Sequence, residues 1–167
     1  MRVLDLDEQR KLVSAAHLAA FGIVLTLFTG IRLGEMLGLQ WRAVNFENAQ
    51  INIRRTLSRL MTFGETSEFK AANHIGKTKT INSAREVYLI DNLLTDLIKY
   101  KNKLIEYKRL SGVKHEETDH VFVTPELTPI DPKTYQDLFK RTLKQGGVAD
   151  ANFHSLRHTF ATRSLEQ

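Results

Sequence analysis

Residues 18–28, LAAFGIVLTLF, are the longest apolar run in this 167-residue chain. A helix that is apolar on every face has to be buried on every face. Eleven residues are too few to cross a bilayer, so the run reads as a core helix of a globular protein. A chain of this length suits one domain and can bury a core of its own. Thr29-Gly30 stops the run, and Arg32 follows directly. A cation therefore stands at the mouth of the most buried element.

The rest of the pattern is mainly helical. Residues 7–29 read as two helical pieces broken near His17, and 33–40 as a short helix. QINIRRT (50–56) alternates apolar and polar with β-branched residues, the period of a half-buried strand. Residues 57–80 predict a hairpin plus a long turn, and REVYLI (85–90) another strand. Asp91 is the expected cap of a helix to about Arg109. Leu93, Leu94, Leu97, Ile98, Leu104 and Ile105 line its inner face, with Lys99, Lys103 and Glu106 in solvent. HVFVT (120–124) is a short extended segment. Asp131-Pro132 predicts a capped helix ending at Gly146-Gly147, and a last helix starts near Asn152. The fold class is α+β, mainly α, with a small antiparallel sheet between helices.

The last helix carries the first chemical question. FHSLRHTFATRS (153–164) holds His154, Arg157 and His158 within five positions. On a helical wheel Phe153, Leu156 and Phe160 form the buried stripe, and Arg157 lies on its edge with His158 one step further. Ser155, Thr159 and Thr162 are expected to face outward. A half-buried arginine is costly unless an anion satisfies it. That anion is either an internal carboxylate or an external ligand held by guanidinium and imidazole. His154 and His158 have metal-ligand spacing, but the lack of cysteine and of HExxH argues against zinc.

Two other stretches bear on this. In TGIRLGEMLGLQW (29–41), Arg32 lies beside glycines that let backbone approach closely, and Glu35 is placed to hold a guanidinium. In GKTKTINS (76–83), a lysine in a turn between strands can reach over a site as an acid or a point charge. The net charge of +5 favours polyanionic partners, nucleic acid first.

TGIRLGE, then KTKT between strands, then HSLRHTFAT, in that order, resemble the tyrosine recombinases, nearest to phage and mobile-element integrases. The resemblance covers nearly the whole chain. It implies a catalytic domain in which a tyrosine hydroxyl attacks a DNA phosphodiester, forming a 3′-phosphotyrosyl link and releasing a 5′-hydroxyl. It implies that Arg32 and Arg157 clamp the non-bridging oxygens and that His154 donates to the phosphate or assists proton transfer. It also implies that Lys79, with Lys77 as near alternative, protonates the leaving oxygen. Glu35 supports the arginines, and His158 stands beside His154. No metal or other cofactor is implied. The partner is double-stranded DNA, on which the full-length protein assembles as a tetramer in a bacterial cytoplasm. No membrane is implied, and the fragment alone is expected to be monomeric.

The chain departs from the family pattern in one respect. The family places a Gly-His motif and the nucleophilic tyrosine after the HSLRH helix. Tyr88, Tyr100, Tyr107 and Tyr135 all lie upstream of it. The expectation is a truncated catalytic domain over 1–167, inactive alone, with N-terminal DNA-binding domains and the tyrosine segment outside it. Three other readings compete: a non-catalytic DNA-binding module, a type IB topoisomerase, and a structural domain whose arginines form internal salt bridges.

Overall fold

The structure, a computed structural model, describes residues 2–63, 69–77 and 84–166, with backbone alone for 59–63, 69–73 and 77. Helix α1 (Leu6–Ala15) starts on a reciprocal cap. The Asp5 carboxylate accepts from the Glu8 N–H at 2.8 Å, and the Glu8 carboxylate accepts from the Asp5 N–H at 3.1 Å. A 3₁₀ turn, Leu18–Ala20, begins after His17 and provides the expected break before α2 (Phe21–Thr29). Ile23, Leu25 and Leu27 of α2 are buried, while Leu18 and Phe28 at the ends of the apolar run are exposed. Burying each of those three side chains stabilises the fold by roughly 1.5–3 kcal/mol. Helices α3 (Leu33–Leu37), α4 (Asp91–Leu110) and α6 (His154–Leu165) supply their cover.

The strands form two small antiparallel sheets. Strands β1 (Val44–Asn45), β2 (Gln50–Ile53) and β5 (Arg85–Tyr88) make one, in the order β1-β2-β5. Strands β3 (Arg55–Phe63) and β4 (Phe69–Lys77) make the other. Residues 50–56, expected as one strand, thus divide at Arg54. Ile53 pairs with Arg85, whereas Arg55 pairs with Lys77, so the chain changes sheets between them. The hairpin expected within 57–80 is β3–β4.

Helix α4 runs where expected, with Leu93, Leu97 and Leu104 buried, but Ile98, expected on the same inner face, is exposed. Its N-cap is Ile90. Asp91 is the first helical residue, where its charge meets the positive end of the helix rather than capping by side chain. Helix α5 (Pro132–Gln145) is capped by Asp131, whose carboxylate accepts from the N–H groups of Lys133 and Thr134.

Helix α6 corrects one expectation. Ser155 and Thr159 are buried rather than outward-facing. The Thr159 hydroxyl accepts from the Leu4 N–H at 2.9 Å and donates to the Ser155 carbonyl at 2.8 Å, because the N-terminal segment covers that face. The helix is covered on two sides, so a single apolar stripe underestimates its burial.

Two glycines fix how the site elements meet. Gly30 ends α2 at φ 64°, and a Cβ there would lie 2.4 Å from Phe160 Cδ1 of α6. A Cβ on Gly34 would lie 2.7 Å from the Leu57 carbonyl oxygen, so α3 rests backbone-close on β3. The turn bearing Arg32 is thereby held against both α6 and the start of the hairpin.

Candidate active site

Arg32 is the N-cap residue of α3. Its backbone N–H donates to Glu35 Oε2 at 2.9 Å and its guanidinium to Glu35 Oε1 at 3.0 Å. The Glu35 side chain is only 3% exposed, while that of Arg32 remains 53% exposed. The buried carboxylate therefore aims an arginine whose outer edge is free for a ligand.

A residue not singled out from sequence completes this arrangement. Arg85, at the start of β5, grips Glu35 in a two-pronged ion pair, donating to Oε1 at 2.9 Å and Oε2 at 2.8 Å. The signal was present in REVYLI. Strand alternation puts Arg85 on the same inward face as Val87, an unusual place for a cation without a partner.

Arg157 enters from α6. Its Nη1 donates to the carbonyl of Gly30, the residue that stops α2. Among the described residues no carboxylate pairs with it. Burial, then the charges of Arg32 and Arg85, lower its pKa, with Glu35 pulling the other way. Three guanidiniums thus gather round one carboxylate. Such a surplus is relieved by binding an anion.

His154 lies one turn before Arg157 and packs edge-on against His158, with ring centroids 4.4 Å apart. Burial first, then the charges of His158, Arg157 and Arg32, hold its pKa below the usual histidine value. Without an anion the imidazole is neutral at pH 7 and can donate from one ring nitrogen. A cavity of about 220 Å³ opens between these groups, lined by Arg32, Gln136, Asn152, Phe153, His154 and Arg157. Its donors suit an anion such as phosphate, and it is roomy enough to admit one.

The structure thus brings together Arg32, Glu35, His154, His158 and Arg157. Lys77 ends β4 in register with Arg55. Lys79, the residue expected as the acid, lies outside the described residues. No tyrosine lines the cavity. Tyr100 donates to the Val121 carbonyl and Tyr107 to the Pro125 carbonyl, and Tyr135 is fully buried. Burial pushes the phenols of Tyr100 and Tyr135 upward in pKa. Tyr88 is exposed on β5 and does not border the cavity.

The Glu35 ion pairs set a pH window. Burial alone would raise this carboxyl, but the hydrogen bonds from Arg85 and Arg32 outweigh it and hold the pKa at about 2. A depressed carboxyl stabilises the folded state above its ordinary value of about 4.5 and loses that contribution as pH falls through 2. The difference is about 3 kcal/mol. The melting temperature should fall between about pH 5 and pH 2, and Glu35→Gln should flatten that dependence. Thermal melts across the range check this, and an unchanged slope in the variant would count against the pairing.

A mainly helical domain thus folds two arginines and a histidine round one cavity, with a hairpin beside it. Comparison with known proteins says which family is built this way. Residues 2–167 match the phage integrase family, and the chain belongs to that family. It is similar to a XerC-like tyrosine recombinase of Caldanaerobacter subterraneus subsp. tengcongensis. The two are 32% identical over 160 residues, covering 93% of this chain and 39% of that protein. Its fold is similar to that of XerA recombinase, with a TM-score of 0.71 and 25% identity, covering 99% of this chain and 49% of the other. The Tn1549 transposon integrase, solved in complex with transposon right end DNA, superposes with a TM-score of 0.75 at 21% identity, covering 99% of this chain and 53% of the other. The chain therefore spans about two fifths to a half of the length of these relatives. The family match does not favour the topoisomerase or the non-catalytic module. Among the described residues, no helix is long and apolar enough to cross a membrane.

Proposed function

We propose that this domain clamps the scissile phosphate of double-stranded DNA in site-specific recombination, for attack by a tyrosine outside residues 1–167. The observation that carries this is Arg157. It is a half-buried guanidinium anchored on the Gly30 carbonyl, and among the described residues its neighbouring charges, Arg32 and Arg85, outnumber the single Glu35 carboxylate. Arg32 and Arg157 take the two non-bridging oxygens, and His154 donates to one of them. Charge building on those oxygens in the transition state meets fixed donors that need no reorganisation. Arg85 is a positioning residue that acts through Glu35.

In the reaction the tyrosine oxygen bonds to phosphorus and the bond to the 5′-oxygen breaks. The phenol gives its proton to water, and the 5′-oxygen gains one from Lys79 or Lys77. The covalent phosphotyrosine keeps the phosphodiester's free energy, so rejoining runs the same steps backward without a nucleotide cofactor. Assembly of the full-length protein into a tetramer on DNA, in a bacterial cytoplasm, belongs to the same proposal. So does a monomeric, inactive fragment. The DNA-bound state of the Tn1549 integrase, whose fold this chain shares, supports DNA as the partner.

The test is a covalent trapping assay with the full-length protein and a nicked DNA substrate. The expected result is a protein–DNA adduct whose linked peptide contains a tyrosine beyond residue 167. Linkage through Tyr88, Tyr100, Tyr107 or Tyr135, or no adduct on any cognate DNA, would contradict the proposal.

A further inference from the structure

A second cleft, of about 420 Å³, borders Glu35, the carboxylate that holds Arg32. It is lined by Glu35, Gln40, Arg42, Asn52, Arg54 and Arg55, together with small and aliphatic residues. We infer that Arg42, Arg54 and Arg55 form a second phosphate subsite, which holds the sugar–phosphate backbone of duplex DNA at a phosphate beyond the reacting one. The inference rests on the reading of the chain as a DNA strand-transfer domain, and it extends that reading to a part of the surface no motif marked.

The arrangement follows from the topology. Arg42 sits on the 3₁₀ turn Trp41–Ala43 that follows α3. Arg54 is the link between the two sheets, and Arg55 is the first residue of β3. Close contact of Gly34 with Leu57 brings the start of β3 against α3, so residues far apart in sequence border one cleft. The switch of sheets at Arg54 leaves two consecutive arginines exposed there rather than on opposite faces of one continuous strand.

The chemistry of the lining selects the ligand. Among the described residues, no carboxylate pairs with any of the three guanidiniums. Among the described residues, the one hydrogen bond the three guanidiniums make is from Arg42 Nε to the Gln40 side-chain carbonyl, at 3.0 Å. Elsewhere the chain does pair its cations, as in Lys108 with Asp119, Lys140 with Asp150 and Arg109 with Glu106. Among the described residues Glu35 is the sole acidic group lining the cleft, and its two oxygens are already taken by Arg32 and Arg85. The charge of Arg55 is still felt by His120, whose pKa is lowered by burial first and by Arg55 second.

Three guanidiniums with the amides of Gln40 and Asn52 match phosphate and sugar oxygens. Among the described residues no aromatic side chain lines the cleft, and none there stacks a base. The subsite therefore supplies affinity and register without reading sequence. Because Glu35 lines this cleft and holds Arg32, a backbone seated here also bears on where the next phosphates fall relative to Arg32.

The test is equilibrium binding of the chain to a fluorescein-labelled DNA duplex over a range of salt concentrations. Wild type is compared with Arg42→Gln, Arg54→Gln and Arg55→Gln, singly and together, and with Arg157→Gln. Each lost phosphate contact makes the salt slope shallower by about 0.9. The triple variant is expected to lose about 2.7 from the slope and to bind about tenfold or more weakly at moderate salt. The triple lysine variant should keep the slope, because the charge remains. An unchanged slope in the triple glutamine variant, with wild type binding and Arg157→Gln weakened, would overturn the subsite alone. Equal loss in the lysine variant would assign the arginines a merely structural role and overturn it too. Absence of binding by wild type would remove the DNA reading and the subsite with it.

Discussion

Replacing Arg157 by glutamine in the full-length protein is expected to slow formation of the covalent protein–DNA adduct by about 10³-fold or more. The reason lies in what surrounds the side chain. Arg157 is held by the Gly30 carbonyl and lines the 220 Å³ cavity. Its charge is not spent on an internal carboxylate, so nearly all of it is available to the transition state. Lysine at this position keeps a charge but loses the planar fork, so only part of the rate should return. Binding of duplex DNA should weaken far less than the rate, because many other phosphates contribute to it. A rate loss no larger than the binding loss would assign Arg157 to docking rather than to chemistry. Single-turnover trapping alongside equilibrium binding separates the two.

The second large effect concerns Glu35. Glu35→Leu should destabilise the chain by about 3–5 kcal/mol, the cost of breaking a buried ion pair by removing one partner. For a domain of this size that lowers the melting temperature by on the order of 10 °C. The carboxylate is 3% exposed and accepts four hydrogen bonds from Arg32 and Arg85. Without it, Arg85 stays half-buried beside Arg157 with no counter-charge, and Arg32 loses what aims it. Exchanging Arg85 as well, for methionine, should recover part of the lost stability, because the stranded charge goes too. It should not recover activity, because Arg32 remains unaimed. Calorimetric melts of the single and double variants check the first point and adduct trapping the second. Additive losses in the double variant would show that the two residues do not act as a pair.

Much of this was legible in the sequence where local signals were strong. The core helix within the apolar run, the stop at Gly30 and the Asp131-Pro132 start became the expected elements, because their causes lie within a few residues, whereas the run's first three residues form a 3₁₀ turn instead. Glu35 holding Arg32 was legible for the same reason, being three residues away on one short helix. Arg85 was not, because the contact that gives it a purpose spans 50 residues. The sheet switch at Arg54 was hidden because QINIRRT alternates evenly through it, and only the partner strands divide it. Ser155 and Thr159 were assigned to solvent because one helix seen alone has one apolar stripe. The Leu4 backbone, which buries the opposite face, comes from the far end of the chain. The arginines of the second cleft are ordinary surface residues in sequence, and they become a group only through the close contact of α3 with β3.

The central claim is that Arg32, Arg157 and His154 together form a phosphate clamp. The most direct measurement is a crystal structure of the chain soaked in vanadate. An anion in the 220 Å³ cavity, bound by both guanidiniums and by the His154 imidazole, is the predicted result. An empty cavity at saturating vanadate, or Arg157 turned away to a carboxylate of its own, would contradict it.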